Sequence, residues 1–142
     1  MNESKRNVLL RAAAVVALLF GVLTIVSGGR TLFGGEAVRQ AAGAIVPFVL
    51  WFNFAAGFAY VVAGLGLWGR RRWSVPLAVA IAGATALVFA AFGVHVFTSG
   101  AYEARTVGAM VLRTLVWMAI AWIGYRGRIG EYLDANVTLQ RK

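Results

Sequence analysis

Arg113 is the residue whose position most suggests chemistry, because it lies within the otherwise apolar stretch VGAMVLRTLVWMAIAWIGY, residues 107–125. A guanidinium offers a fixed charge and planar donors, which match a carboxylate or a phosphate. A charge at the centre of a bilayer costs on the order of 3 kcal/mol or more. Two interpretations follow: Arg113 binds an anionic group inside a helix bundle, or its long stem carries the charge to the nearer membrane surface.

Other polar and aromatic side chains lie at a similar depth in the neighbouring apolar stretches. Asn53 interrupts the second stretch, Thr24 lies near the end of the first, and His95 lies near the end of the third. Nearly all of these groups fall in one half of the predicted bundle, which predicts a polar pocket open to one face. The ligand-binding candidates are Arg113, Asn53, His95, Thr24, Trp51 and Glu103.

Each candidate also has a structural interpretation. Asn53 is suited to an interhelical hydrogen bond, and His95 to packing or an interfacial hydrogen bond. Glu103 is predicted to pair with Arg105 or His95 at the rim of the pocket. Trp51 offers an aromatic face for contact with a quinone.

The rest of the composition excludes several kinds of site. The chain has no cysteine and one histidine, so it has no thiolate ligands and no multi-histidine metal site. It shows no nucleophile and base pair and no nucleotide-binding loop. We therefore predict no catalytic residues and no metal site, and a non-enzymatic role is favoured over an enzymatic one.

Four apolar stretches dominate the chain. Hydrophobic residues make up 61% of it and charged residues 13%, against about 25% charged in soluble domains. Each stretch reaches or exceeds the roughly 20 residues that cross a bilayer. The predicted fold is an all-α integral membrane bundle of four transmembrane helices, forming a single domain over residues 1–142. The predicted spans are residues 8–28, 44–68, 73–98 and 106–125.

Basic residues give the predicted orientation, because cytoplasmic segments carry the excess of Lys and Arg. One side has Arg30, Arg39 and Arg105; the other has Lys5, Arg6, Arg11, Arg70, Arg71, Arg72, Arg126, Arg128, Arg141 and Lys142. Both termini are therefore predicted to be cytoplasmic. The tail 126–142 has apolar residues at helical spacing, typical of an amphipathic helix on the membrane, and the alternative is a frayed polar tail.

The second stretch, VPFVLWFNFAAGFAYVVAGLGLWGRRRW, passes from a polar residue through an Ala/Gly run to a basic turn, and the third ends in FGVH. With the Gly-rich end of the first stretch, this pattern resembles the DoxX-like group of small four-helix bacterial membrane proteins. The resemblance implies a membrane subunit of the bacterial cytoplasmic membrane associated with redox or quinone-linked systems. Many members carry an acid where Asn53 stands, so their acid-dependent chemistry is not carried over.

Three functions remain from the sequence. The first is a non-catalytic membrane subunit or a protein that binds a lipid, a quinone or an anionic group. The second is a small oligomeric transporter or channel for anions or protons, and the third is a quinone-linked redox protein. The expected partners are membrane lipids, with other membrane subunits or further copies of the chain as alternatives, and no nucleic acid. No cofactor is required, although a quinone or a lipid would fit the first function.

Overall fold

The computed structural model describes residues 3–98 and 100–140, with side chains from 4 to 98 and from 100 to 128. The described residues form five helices and no strand. The helices are α1 (Glu3–Phe33), α2 (Gly35–Ala42), α3 (Pro47–Trp68), α4 (Ser74–Phe97) and α5 (Ala104–Gln140). Four of them, all but the short α2, are long and apolar enough to cross a membrane.

The four long helices alternate in direction and form a bundle. Helix α1 packs along α3, α3 along α4, and α4 along α5, while α5 also contacts α1. We call the end of the bundle that carries α2 the α2 end. The opposite end carries the turn at residues 69–73, and we call it the arginine end.

The segment between the first two long helices differs from the prediction of a loop from residue 29 to residue 43. Helix α1 continues to Phe33, and the eight residues of α2 follow almost at once. Gly35 and Gly43 have φ angles of 80° and 74°, which residues with a Cβ rarely adopt. These two glycines turn the chain at the two ends of α2.

The predicted boundary of the last span also differs from the structure. Helix α5 has 37 residues and ends at Gln140, so the backbone of the tail continues this helix and does not form a separate one. The apolar side chains on which the amphipathic interpretation rests, Ile129, Tyr132, Leu133 and Val137, lie outside the described side chains.

Small residues allow α1 and α3 to approach closely. A Cβ added to Gly57 would lie 2.7 Å from Ile25 Cγ1 and 3.2 Å from the Ile25 backbone nitrogen. A Cβ on Gly64 would lie 2.8 Å from Leu18 Cγ. Close backbone approach is the usual basis of helix association in lipid. Helix α4 carries alanines spaced by four residues, at positions 78, 82, 86 and 90; the first of them is buried and the last is exposed.

Much of the apolar surface of the long helices is exposed on the outside of the bundle. In each of the four long helices, only 22% to 28% of the most apolar 18-residue stretch is buried. Large apolar side chains such as Leu87, Leu115 and Phe97 are exposed by 74%, 60% and 91%. The exterior of the bundle is therefore apolar, as expected for a surface in contact with lipid tails.

Candidate functional site: a cavity around Arg113

A cavity of about 440 Å3 lies at the α2 end of the bundle. Helices α1, α3 and α5 form its walls, and the segment between α2 and α3 borders it. The polar side chains that line it are Thr24, Ser27, Thr31, Asn53, Arg105, Thr106 and Arg113. Its other lining residues are mainly aliphatic, so the cavity combines a few polar groups with an apolar wall, the usual composition of a ligand site.

The orientation of Arg113 follows from its position on α5. Met110, Arg113, Trp117 and Ile120 are spaced by three, four and three residues, so they share one face of the helix. All four are buried, with exposures of 0%, 8%, 0% and 3%. This face points into the bundle, and the guanidinium lies within the bundle, not on its outer surface.

The guanidinium has weak polar partners. Its Nη2 donates to Thr24 Oγ1 at 3.5 Å, and its Nη1 lies 3.7 Å from Met110 Sδ. The Phe20 ring faces the charge at 5.7 Å. The buried Nε has no hydrogen-bond partner. Thr24, Met110 and Phe20 carry no negative charge, so these contacts leave the charge of Arg113 unneutralised.

Asn53 of α3 is joined to Arg113 through the same methionine. Its Nδ2 lies 3.7 Å from Met110 Sδ, and its buried Oδ1 has no hydrogen-bond partner. Buried polar atoms in native proteins nearly always have a partner, which may be a bound molecule or water. Two residues of the cavity lining thus hold a buried donor, Arg113 Nε, and a buried acceptor, Asn53 Oδ1, that the protein leaves unsatisfied.

The structure brings together three of the six predicted site residues, Arg113, Asn53 and Thr24. The other three lie elsewhere. Trp51 is 54% exposed, and its ring meets the edges of Phe33 and Phe54 on the outer surface.

His95 and Glu103 are engaged by the backbone at the α2 end. His95 Nε2 lies 3.3 Å from the carbonyl oxygen of Ala101. Glu103 Oε1 accepts the backbone N–H of Ala44 at 3.0 Å, so the contact found for this carboxylate is a backbone amide and not Arg105 or His95. A Cβ on Gly43 would collide with the carboxylate, which explains why a glycine precedes Ala44.

The first turn of α5 also holds the end of α2. Arg105 Nη2 donates to the carbonyl oxygens of Ala41 and Ala42 at 2.9 Å and 2.5 Å. These are the last carbonyls of α2, which the helix itself leaves without partners. Glu103 and Arg105 thus fix α2 and the following loop at the border of the cavity.

Below Arg113 the bundle contains buried polar groups that sequence reasoning largely missed. Tyr60, Thr85 and Trp117 are each 0% exposed, and the rings of Tyr60 and Trp117 lie 4.6 Å apart. The Tyr60 hydroxyl, Thr85 Oγ1 and Trp117 Nε1 have no partner in hydrogen-bond geometry. Tyr60 is recognisable in the sequence as a polar side chain of the other half of the bundle. Trp117 could have been found by its spacing, because it lies four residues after Arg113 and therefore on the same face.

The site does not resemble a metal centre. Among the described side chains, no three of His, Cys, Asp or Glu lie close enough together to hold a metal ion.

Comparison of the chain with protein-family models, with curated proteins and with solved structures gave no match. The resemblance to the DoxX-like group therefore stays a prediction.

Proposed function

We propose that the chain is a four-span protein of the bacterial cytoplasmic membrane that binds a small amphiphilic molecule with an oxygen-rich or anionic head. Four candidate spans of 30, 22, 24 and 25 residues, one in each long helix, support membrane insertion, because about 20 residues cross the hydrocarbon layer. The distribution of Lys and Arg supports a cytoplasmic arginine end and an outward-facing cavity.

The observation that carries the binding proposal is the unneutralised Arg113 in the wall of a cavity. A buried charge without an opposite charge is costly, and a ligand that offers two acceptor oxygens would satisfy both Nε and one terminal nitrogen. Carboxylates and phosphates have this geometry, and a quinone carbonyl supplies one such oxygen. The unpartnered Asn53 Oδ1 favours a head that also carries a hydroxyl or other donor.

The closed core beneath the cavity favours binding over transport. A transport path needs polar groups that are accessible across the whole membrane. Here the Tyr60 and Trp117 rings pack against each other with no exposed surface, and Trp117 lies four residues beyond Arg113 on the same face of α5. A ligand entering from the α2 end would stop at Arg113.

A thermal-shift assay on the detergent-purified protein tests the binding proposal. The probes are oleate, decylubiquinone and dioleoyl phosphatidylglycerol, which offer a carboxylate, carbonyls and a phosphate. We expect at least one probe to raise the melting temperature, and Arg113→Met to abolish that rise.

Arg30→Met is the matched control, since Arg30 is an exposed arginine of the same end that does not line the cavity. It should keep the full probe-induced shift. Equal shifts in the wild-type protein and in Arg113→Met, for every probe that acts, would rule out Arg113 as the binding residue.

A further inference from the structure

A second cavity, of about 240 Å3, lies at the arginine end of the bundle. Helices α1, α3, α4 and α5 and the turn between α3 and α4 all contribute to it. Leu10 and Leu67 are part of its apolar lining. Its charged lining consists of Arg70, Arg71, Arg72 and Arg128. Four guanidinium-bearing residues thus surround one space whose inner wall is apolar.

Beside the Arg128 side chain, helix α5 presents bare backbone to this space at two positions. Gly124 and Gly127 both line the cavity, and both are buried. A Cβ on Gly127 would lie 3.5 Å from Leu10 Cδ1, and a longer side chain there would extend into the cavity. The two glycines lie three residues apart on one face of α5, and their lack of side chains leaves the space between α5 and α1 open.

Arg70 occupies a backbone position that normally belongs to glycine. Arg71 N–H donates to the Gly66 carbonyl oxygen at 2.8 Å, and Arg70 N–H donates to Leu67 at 3.2 Å. This pair of bonds is the Schellman motif, whose left-handed residue is usually glycine. Here that residue is Arg70, with a φ of 49°. A charged side chain therefore stands at a position where glycine would be less strained.

We propose that this cavity binds a phosphate group, carried by the headgroup of an anionic phospholipid. Guanidinium groups match phosphate oxygens in pairs, and basic pockets between transmembrane helices on the cytoplasmic side suit anionic headgroups. Ser74 and Val75, the first residues of α4, also line the cavity, so the positive end of the α4 dipole faces the same space. The apolar wall at Leu10 and Leu67 suits the glycerol and the upper acyl carbons.

This site is separate from the proposed ligand site. Arg113 and Arg128 are fifteen residues apart on α5, or about 22 Å along the helix axis. The second site rests on membrane insertion but not on any ligand at Arg113. Arg113→Met should leave it unchanged, so failure of one site is distinguishable from failure of the other.

Native mass spectrometry of the full chain tests the proposal. The detergent-purified protein is mixed with equal amounts of dioleoyl phosphatidylglycerol and dioleoyl phosphatidylcholine, and the retained lipids are counted. We expect preferential retention of phosphatidylglycerol. The double variant Arg71→Gln/Arg128→Gln should lower that retention about tenfold or more, because hydrogen bonds between charged groups are lost.

The control is the double variant Arg11→Gln/Arg126→Gln, which removes the same charge without touching the cavity. Arg11 is exposed on α1, and Arg126 lies over the Trp122 ring at 4.8 Å. Retention close to wild type in this control supports a defined site. An equal loss in the two double variants, or no preference for phosphatidylglycerol in the wild-type protein, overturns it.

Two further arms refine the result. Gly127→Leu fills the cavity without changing charge, and it should lower retention while circular dichroism remains that of the wild type. Retention unchanged by Gly127→Leu would contradict binding inside the cavity.

Sodium phosphate, added at constant ionic strength, identifies the source of the phosphate. Displacement of the lipid assigns the site to the free ion, and persistence of the lipid assigns it to the headgroup.

Discussion

Replacement of Arg113 by methionine should stabilise the ligand-free protein while it removes ligand binding. Arg113 lies nine residues after the start of α5 at Ala104, or about 14 Å along the axis, which is close to the middle of a layer about 30 Å thick. An arginine at that depth costs about 3 kcal/mol on the insertion scale. Methionine has a similar unbranched stem and no charge.

The contacts of the guanidinium repay only part of this cost. The bond to Thr24, at 3.5 Å, is at the limit of hydrogen-bond length and contributes about 0.5 kcal/mol. The Phe20 ring, at 5.7 Å, contributes about 0.5 to 1 kcal/mol. The smaller methionine loses about 0.5 kcal/mol of packing. The balance predicts that Arg113→Met raises the free energy of unfolding by about 1 kcal/mol.

The assay is equilibrium unfolding by sodium dodecyl sulfate in mixed micelles, followed by tryptophan fluorescence, with lipid and quinone removed during purification. Trp117 is fully buried, so its emission reports loss of the bundle core. Arg30→Met serves as control and should change the free energy of unfolding by less than about 0.5 kcal/mol. A loss of stability of 1 kcal/mol or more in Arg113→Met would refute the reasoning, because the guanidinium would then be a structural group.

Three further predictions concern packing, backbone strain and topology. Gly57→Ala should destabilise the bundle by about 1 to 3 kcal/mol, because the added Cβ would lie 2.7 Å from Ile25. Gly83→Ala, whose Cβ would have nothing within 4 Å, should leave the stability unchanged. Equal stabilities of the two variants in mixed-micelle unfolding would contradict the prediction. Arg70→Gly should raise the melting temperature, because glycine adopts left-handed backbone angles without the cost of about 1 kcal/mol that a residue with a Cβ carries. An unchanged or lower melting temperature would contradict the claim that Arg70 is strained. Arg71→Cys, the sole cysteine of its chain, should resist an impermeant maleimide in intact cells and react after lysis, and labelling in intact cells would reverse the proposed orientation.

The four long helices could be predicted from the sequence because each is a predominantly apolar stretch of membrane-spanning length. The depth of each polar side chain in the bundle could also be predicted, by counting residues from the ends of the spans. Arg113, Asn53 and Thr24 lie at a similar depth by this count, and the structure brings them together. Rotation about each helix axis was not predictable. Apolar residues surround the helices on all sides, so no polar face marks the side that is buried.

Trp51 and Asn53 illustrate this limit. They are two residues apart and at nearly the same depth, but they point about 160° apart around α3, and only Asn53 lines the cavity. For α2 the reason is different. The last turn of α2 and the loop after it are held by hydrogen bonds to Arg105 and Glu103, which lie about 60 positions later in the chain. Such long-range contacts leave no local sequence pattern.

Binding of a ligand by Arg113 in the cavity at the α2 end is open to direct measurement. The most direct measurement is native mass spectrometry of the protein purified from its membrane, with release and identification of whatever small molecule stays bound. We expect a molecule with a carboxylate, phosphate or quinone head that is retained by the wild-type protein and by Arg30→Met and is lost from Arg113→Met. A wild-type protein that carries no small molecule, or one that carries the same molecules as Arg113→Met in the same amounts, would contradict the account.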